Sequence, residues 1–276
     1  MNGTICKTEV ETILKKLKNG TDIRGIAIET EEHEMLLTPE MVSLIGHGFS
    51  KWLKNMNDSK TELKVAVGND SRLSGPKLKE ALKEALISEG INVYDCGMST
   101  TPAMFMTTVL ENYKCDGAIM ITASHLPYYY NGLKFFTVNG GCEKEDINNI
   151  IEIATNCTSD CKGLLEKGGK TKNVDLIDDY SMVLVEKVRK ATNMERPLEG
   201  SKIIVDAGNG AGGFFATKVL QSLGANTEGS QFLDPDGTFP NHIPNPENNE
   251  AMESIKNAVL NSKAYLGIIF DTDVDR

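Results

Sequence analysis

From Leu63 onward the chain alternates short β-branched runs with helical repeats, and that rhythm restricts it to an α/β fold on a largely parallel sheet. The run 63–67 is followed by the polar turn Gly68-Asn69-Asp70-Ser71-Arg72, and Leu78, Leu82, Ala85 and Leu86 then recur at helical spacing. Residues 91–94, 102–110 and 117–121 read as strand, helix and strand. Asn131-Gly132 is a strong turn dipeptide, after which 132–138 forms a strand and 146–154 a closing helix. Two helices come before this rhythm. Thr8 and Glu11 form a capping box for the stripe Val10, Ile13, Leu14, Leu17, and Gly20 ends it. Thr38-Pro39-Glu40 opens the second, whose buried stripe is Met41, Leu44, Ile45, Gly48 and Trp52.

Residues 156–173 lose periodicity and collect Gly, Lys, Ser and Asp, which places a domain boundary there. Past it the rhythm returns: helix 174–190, strand 202–205, helix 213–223, helix 248–260 and strand 265–270. A length of 276 residues suits two domains, expected at 1–158 and 174–276. Each is expected to be a three-layer α/β/α unit with a mixed, mostly parallel sheet, the second incomplete at its C-terminal end.

Composition narrows the function classes. A hydrophobic content of 40% excludes a disordered chain, and no apolar run approaches the roughly 18 residues of a membrane span. Lys+Arg 29 against Asp+Glu 39 gives a net charge of −10, which argues against nucleic-acid binding. An anionic small substrate stays open, because a few local arginines outweigh the global field. The N-terminal 18 residues carry neither a signal-peptide core nor Arg-rich transit character. The six cysteines form no C-x-x-C pair, and Cys157 and Cys161 have no histidine nearby to complete a zinc site. A cytoplasmic chain with reduced thiols is expected.

Three phosphate-type motifs are decoys. The stretch 163–171 is one residue too long for a P-loop and follows no strand. Gly208, Gly210 and Gly213 match G-x-G-x-x-G, but Asp206 at the preceding strand end would repel a pyrophosphate. Asp271-Thr272-Asp273 is like the start of a haloacid-dehalogenase phosphatase, yet its catalytic parts would have to follow Arg276.

The residues that carry chemistry sit at strand ends. Thr122-Ala123-Ser124-His125 follows a strand at its carboxyl end, where ligands bind in open α/β sheets. Lys134 enters the next strand between Leu133 and Phe135, which point to the other face; such a lysine either snorkels or is functional. Asp271, Asp273 and Asp275 stand at i, i+2 and i+4 after a hydrophobic strand. Their mutual repulsion favours a hard cation such as Mg²⁺ over a solvated acidic turn.

At this point the chain resembles the α-D-phosphohexomutase family of phosphoglucomutases, phosphomannomutases and phosphoglucosamine mutases. Gly20-Thr21-Asp22-Ile23-Arg24-Gly25 is similar to its opening loop and Gly68-Asn69-Asp70-Ser71-Arg72 to its first strand-end turn. Thr122-Ala123-Ser124-His125-Leu126-Pro127 resembles the phosphoserine loop, and Asn131-Gly132-Leu133-Lys134 the segment with the acid/base lysine. Phe239-Pro240-Asn241-His242 with Pro244-Asn245-Pro246 is similar to a second-domain loop, and 271–276 to the metal loop. The resemblance implies interconversion of hexose 1-phosphate and hexose 6-phosphate through a hexose 1,6-bisphosphate. Ser124 would carry the phosphoryl group. Mg²⁺ would bind Asp271, Asp273, Asp275 and the phosphate on Ser124. Lys134 would shuttle the hydroxyl proton, with its pKa lowered by burial near cations. His125 would orient the serine loop, and Arg24 and Arg276 would offer positive charge to the substrate.

The sequence departs from the family at Leu126, where Asn is usual, and at Thr272, where Gly is usual. It also holds about two of four domains; the C-terminal domains III and IV, with the sugar-specificity and distal phosphate loops, are missing. Two further readings follow: a Mg²⁺-dependent sugar-phosphate phosphatase, and a non-catalytic fragment.

Overall fold

A computed structural model of the chain describes residues 7–157 and 168–276. Cys6, Cys161 and residues 163–167 of the P-loop decoy lie outside the described residues. Helix α1 (Lys7–Leu17) leads into a hairpin of β1 (Lys18–Asn19) and β2 (Asp22–Ile26), which turns at Gly20 with φ +62°. Helix α2 (Pro39–Met56) starts where expected, with Thr38 Oγ1 accepting from the Met41 N–H at 3.3 Å. Then come β3 (Lys64–Asn69), α3 (Gly75–Ser88), β4 (Asn92–Met98), α4 (Thr101–Met106), β5 (Gly117–Ile121), β6 (Tyr130–Thr137), β7 (Gly140–Gly141) and α5 (Lys144–Asn156). Strand β8 (Thr171–Asn173) closes the set: residues expected to be loop return to pair with β4 at the edge of the first sheet.

The sheet is mixed, in the order β1-β2-β6-β5-β3-β4-β8, with β7 paired to β6. β3 runs parallel to β4 and β5, while β6 lies antiparallel between β5 and β2. Period-two alternation builds both cores. Val65, Val67, Ile119, Ile121, Leu133 and Phe135 pack with residues of α1, α2, α3 and α5 on one face. Ala66, Ala118 and Met120 pack with Ala103 and Met104 of α4 and with Leu176 on the other.

The second region holds α6 (Leu176–Thr192), β9 (Ile203–Asp206), α7 (Asn249–Ser262) and β10 (Leu266–Ile269), with β9 and β10 parallel. The helix expected over 213–223 is a short 3₁₀ turn, Ala211–Gly213, followed by a π-helix, Phe215–Leu220. Its wider winding is seen where the Gln221 N–H bonds Ala216 O, five residues back. This places the Phe215 ring 5.3 Å from that of Phe270, beside β10. Cys96, Cys115 and Cys142 are buried free thiols, and Cys157 is buried with its Sγ accepting from Lys51 Nζ at 3.2 Å. Among the described residues, no helix is long and apolar enough to cross a membrane.

Candidate active site

Ser124 lies just past the carboxyl end of β5, buried at 2% exposure, with φ +53°. Its N–H bonds Thr122 Oγ1 at 2.9 Å, and the Thr122 N–H bonds Gly132 O of β6 at 3.0 Å. Arg72, 1% exposed, supports the loop from behind. Its guanidinium donates to the carbonyls of Ser124, Leu126 and Pro127, the last two at 2.7 Å, and of Tyr130 at 3.0 Å. Leu126 therefore serves this loop through its backbone, and the amide side chain usual in the family is not needed for this contact. Asp70 accepts the Arg72 N–H at 3.0 Å. Burial pushes its carboxyl up to about 6, although the Arg72 charge pulls the other way.

The aspartate loop reaches Ser124 from β10. Asp271 Oδ2 accepts from Ser124 Oγ at 2.8 Å, and its Oδ1 accepts the N–H groups of Asp275 and Arg276 at 3.0 and 3.2 Å. The loop thus folds around its own first carboxylate. Asp273 Oδ2 accepts from Thr101 Oγ1 at 2.5 Å and from Lys134 Nζ at 3.0 Å, and Asp275 Oδ2 takes Lys134 Nζ at 2.6 Å. Oxygens of the three carboxylates lie within 4.8 Å of one another. Burial and the charges of Asp273 and Asp275 push the Asp271 carboxyl well above its ordinary range. Burial would raise Asp273 as well, but Lys134 and Thr101 hold it below. Among the described residues, Asp273 Oδ1 is buried with no hydrogen-bond partner, so one carboxylate oxygen is open among hard donors. That donor set fits a magnesium-type ion.

The G-x-G-x-x-G stretch is the floor of this loop. A Cβ on Gly210 would lie 2.7 Å from Thr272 O, and the Ala211 N–H bonds that oxygen at 2.9 Å. Gly213 packs as closely on Leu233, and Asp206 faces His242. The glycines permit close backbone approach, as β-carbons would not.

The structure brings Ser124, His125, Lys134, Asp271, Asp273 and Asp275 together. His125 Nδ1 is 3.3 Å from Ser124 Oγ, and burial together with Arg276 and Arg24 pushes its ring below the ordinary histidine value. Both arginines act on His125, but each is also paired: Arg24 with Asp22 at 2.6 Å and Arg276 with Glu247 at 3.2 Å. The expected lowering of Lys134 is corrected. Burial alone would lower it, but Asp273 and Asp275 outweigh burial and hold it above the ordinary lysine value. The neighbours that matter are anions, not cations. Arg72 and Thr101 were not anticipated. Arg72 stood in a turn noted only for its position, and nothing in the sequence around Thr101 marks it as a partner of Asp273.

Known proteins of one family share this architecture. The family models for phosphoglucomutase/phosphomannomutase alpha/beta/alpha domains I and II match residues 15–160 and 178–276. A phosphoglucomutase of Neisseria meningitidis serogroup B is 35% identical over 266 residues, covering 96% of this chain and 53% of that protein. A phosphomannomutase/phosphoglucomutase of Pseudomonas putida is 33% identical over 256 residues, 92% of this chain and 50% of the other. The crystal structure of a phosphoglucomutase/phosphomannomutase family protein from Burkholderia thailandensis superposes with a TM-score of 0.77 at 28% identity, over 95% of this chain and 53% of its own. The chain spans about half the length of the curated relatives it matches. Two matched domain models in order, and a shared fold over nearly the whole chain, make it a member of the phosphoglucomutase/phosphomannomutase family, spanning domains I and II.

Proposed function

We propose that the chain is the phosphoryl-carrying half of a phosphohexomutase that interconverts hexose 1-phosphate and hexose 6-phosphate. The observation that carries this reading is the 2.8 Å contact between Ser124 Oγ and Asp271, inside a cluster that also holds Lys134. It joins a hydroxyl nucleophile of one domain to a carboxylate set of the other. Ser124 bears the phosphoryl group. The bond from its oxygen to phosphorus breaks as a hydroxyl oxygen of the sugar phosphate bonds phosphorus. Lys134 exchanges the proton of that hydroxyl, and His125 orients the serine side chain. Arg24 and Arg276 present fixed positive charge to the substrate phosphate. Asp271, Asp273 and Asp275, with the phosphate on Ser124, would hold Mg²⁺, which would neutralise charge on the transferring group. The bisphosphate then returns its other phosphoryl group to Ser124. We take this activity to be cytoplasmic, a reading that reduced cysteines support.

A full cycle needs a grip on the distal phosphate in both orientations, which we assign to domains III and IV. We therefore expect phosphorylation of Ser124 but little mutase turnover from residues 1–276 alone. The chain is incubated with glucose 1,6-bisphosphate and Mg²⁺, then analysed by intact mass and peptide mapping. One phosphate on Ser124, lost in Ser124→Ala, is the expected result. A phosphate on Ser71 or Ser99 that persists in Ser124→Ala would overturn the assignment.

A further inference from the structure

The second domain buries an ion pair that the reaction does not use. His242 has a side chain 3% exposed, and that of Asp206, at the end of β9, is fully buried. His242 Nδ1 lies 2.9 Å from Ile243 O, and Nε2 lies 3.0 and 3.1 Å from the two Asp206 oxygens. A carbonyl oxygen only accepts, so Nδ1 carries a proton. The Asp206 carboxylate also receives the Gly208 N–H at 2.9 Å, Gln231 Nε2 at 2.7 Å and Ser254 Oγ at 3.3 Å. With donors converging from three further groups, its oxygens act as acceptors throughout, so Nε2 carries a proton too. Both ring nitrogens donate, and the ring is an imidazolium. The charged groups acting on it are Asp206 from β9 and Glu250 from α7, both negative. Phe232 packs edge-on, with ring centroids 5.4 Å apart.

The ring fastens a loop that reaches the first domain. Between 236 and 246 the loop is exposed or half-buried except at Gly237, His242 and Pro244, which are buried. Pro244 rests on Gly208, where a Cβ would lie 2.9 Å away. Gly237 rests on the other domain, where a Cβ would run into Ser71 O. The Phe239 ring centroid is 5.4 Å from Arg72 Cζ. Arg72 is the residue that holds four carbonyls around Ser124.

We propose that His242 is a positioning residue acting as a charged latch: as an imidazolium it ties the 236–246 loop to Asp206, so that Gly237 and Phe239 close over Arg72, and loss of its proton lets the loop lift. Burial alone would lower the ring, but the bonds to Asp206 and Ile243 O outweigh it and hold its pKa above the ordinary histidine value. The latch is therefore complete below that ordinary value and is lost as pH rises through the higher, folded one. Its effect on Ser124 rests on the function proposed above; the charge state and the loop's attachment do not.

The chain has four histidines, so ring-nitrogen NMR can follow each of them. His242 is expected to carry protons on both nitrogens at pH 7. Hydrogen-exchange protection of amides 236–246, corrected for intrinsic rate, should fall about tenfold per pH unit between the ordinary histidine value and the titration of His242, then level off. His242→Gln keeps a neutral donor toward Asp206 at every pH, so its protection should be flat across this range. Ser124 phosphorylation should decline on the alkaline side in the wild type and not in His242→Gln. A singly protonated ring at pH 7, or wild-type protection that ignores pH, overturns the latch. If Ser124 takes no phosphate at any pH while NMR and exchange behave as expected, the proposed function fails and the latch stands.

Discussion

The serine loop leaves β5, a strand with neighbours on both sides, whereas the aspartate loop leaves β10, which among the described residues pairs only with β9. The difference extends to what holds each loop. Arg72 grips the serine loop by four carbonyls, all within the first domain. The aspartate loop winds around its own Asp271, sits on Gly210, and takes further support across the domain boundary from Thr101, Ser124 and Lys134. One loop has its shape imposed by its own domain; the other has a local fold but a borrowed position. The domains should therefore fail differently, and under different conditions.

The sharpest way to break this contrast is Arg72→Met. It removes the buried partner of Asp70 and leaves carbonyls of the serine loop unpaired. Truncating one member of a buried charged pair costs about 3–5 kcal/mol. Urea melts should show that loss, with protection lost first around 122–130. A stability within ~1 kcal/mol of wild type would mean the serine loop does not depend on Arg72.

Gly210→Ala acts on the other loop. Its Cβ would meet the backbone of Thr272, which cannot rotate away, so a cost of about 1–3 kcal/mol is expected. Calorimetric Mg²⁺ titration should show weaker binding, while exchange at the serine loop stays as in the wild type. Equal disturbance of both loops would show that the aspartate loop supports the serine loop as much as it is supported.

The smallest effect separates the domains by pH. Glu89 joins α3 to α2 through His47 at 3.0 Å and Lys54 at 3.1 Å. The hydrogen bond from His47, with help from Lys54, holds its carboxyl down at about 2 against an ordinary 4.5. Its contribution is complete above the ordinary carboxylate range and is lost as pH falls toward the folded value. With Lys54 partly in solvent, about 1–2 kcal/mol is expected. Comparing Glu89→Gln with wild type at pH 2.5 and pH 6 measures it, and a difference that does not change with pH would remove Glu89 from the acid limb. The first domain thus weakens toward acid through Glu89, and the second toward alkali through His242.

Much of this architecture was legible in advance, because alternating strands and helices leave periodic apolar stripes. β5 was read at its observed limits, and α2 announced itself with Thr38 and Pro39. β2 went unread because Asp22-Ile23-Arg24-Gly25-Ile26 puts charge and glycine where strands usually show β-branched residues. β8 is exposed along its length and has no apolar alternation to see. The serine and aspartates of the site could be found because they stand at strand ends in unusual company, and the lysine because it is a charge within an otherwise apolar strand. The charge environment of Lys134 could not, since it depends on a carboxylate pair well over a hundred residues away, and Arg72 works through backbone carbonyls that carry no residue identity.

The φ of +53° at Ser124 also bears on which hydroxyl amino acid can stand there. Threonine offers the same oxygen, yet a β-branched residue in the left-handed region is a genuine steric outlier, whereas Asn and Asp are enriched there. The backbone thus discriminates between the two alcohols before any substrate arrives. The same torsion tolerates aspartate, so an acidic stand-in for the phosphorylated side chain can be installed without first rebuilding the turn.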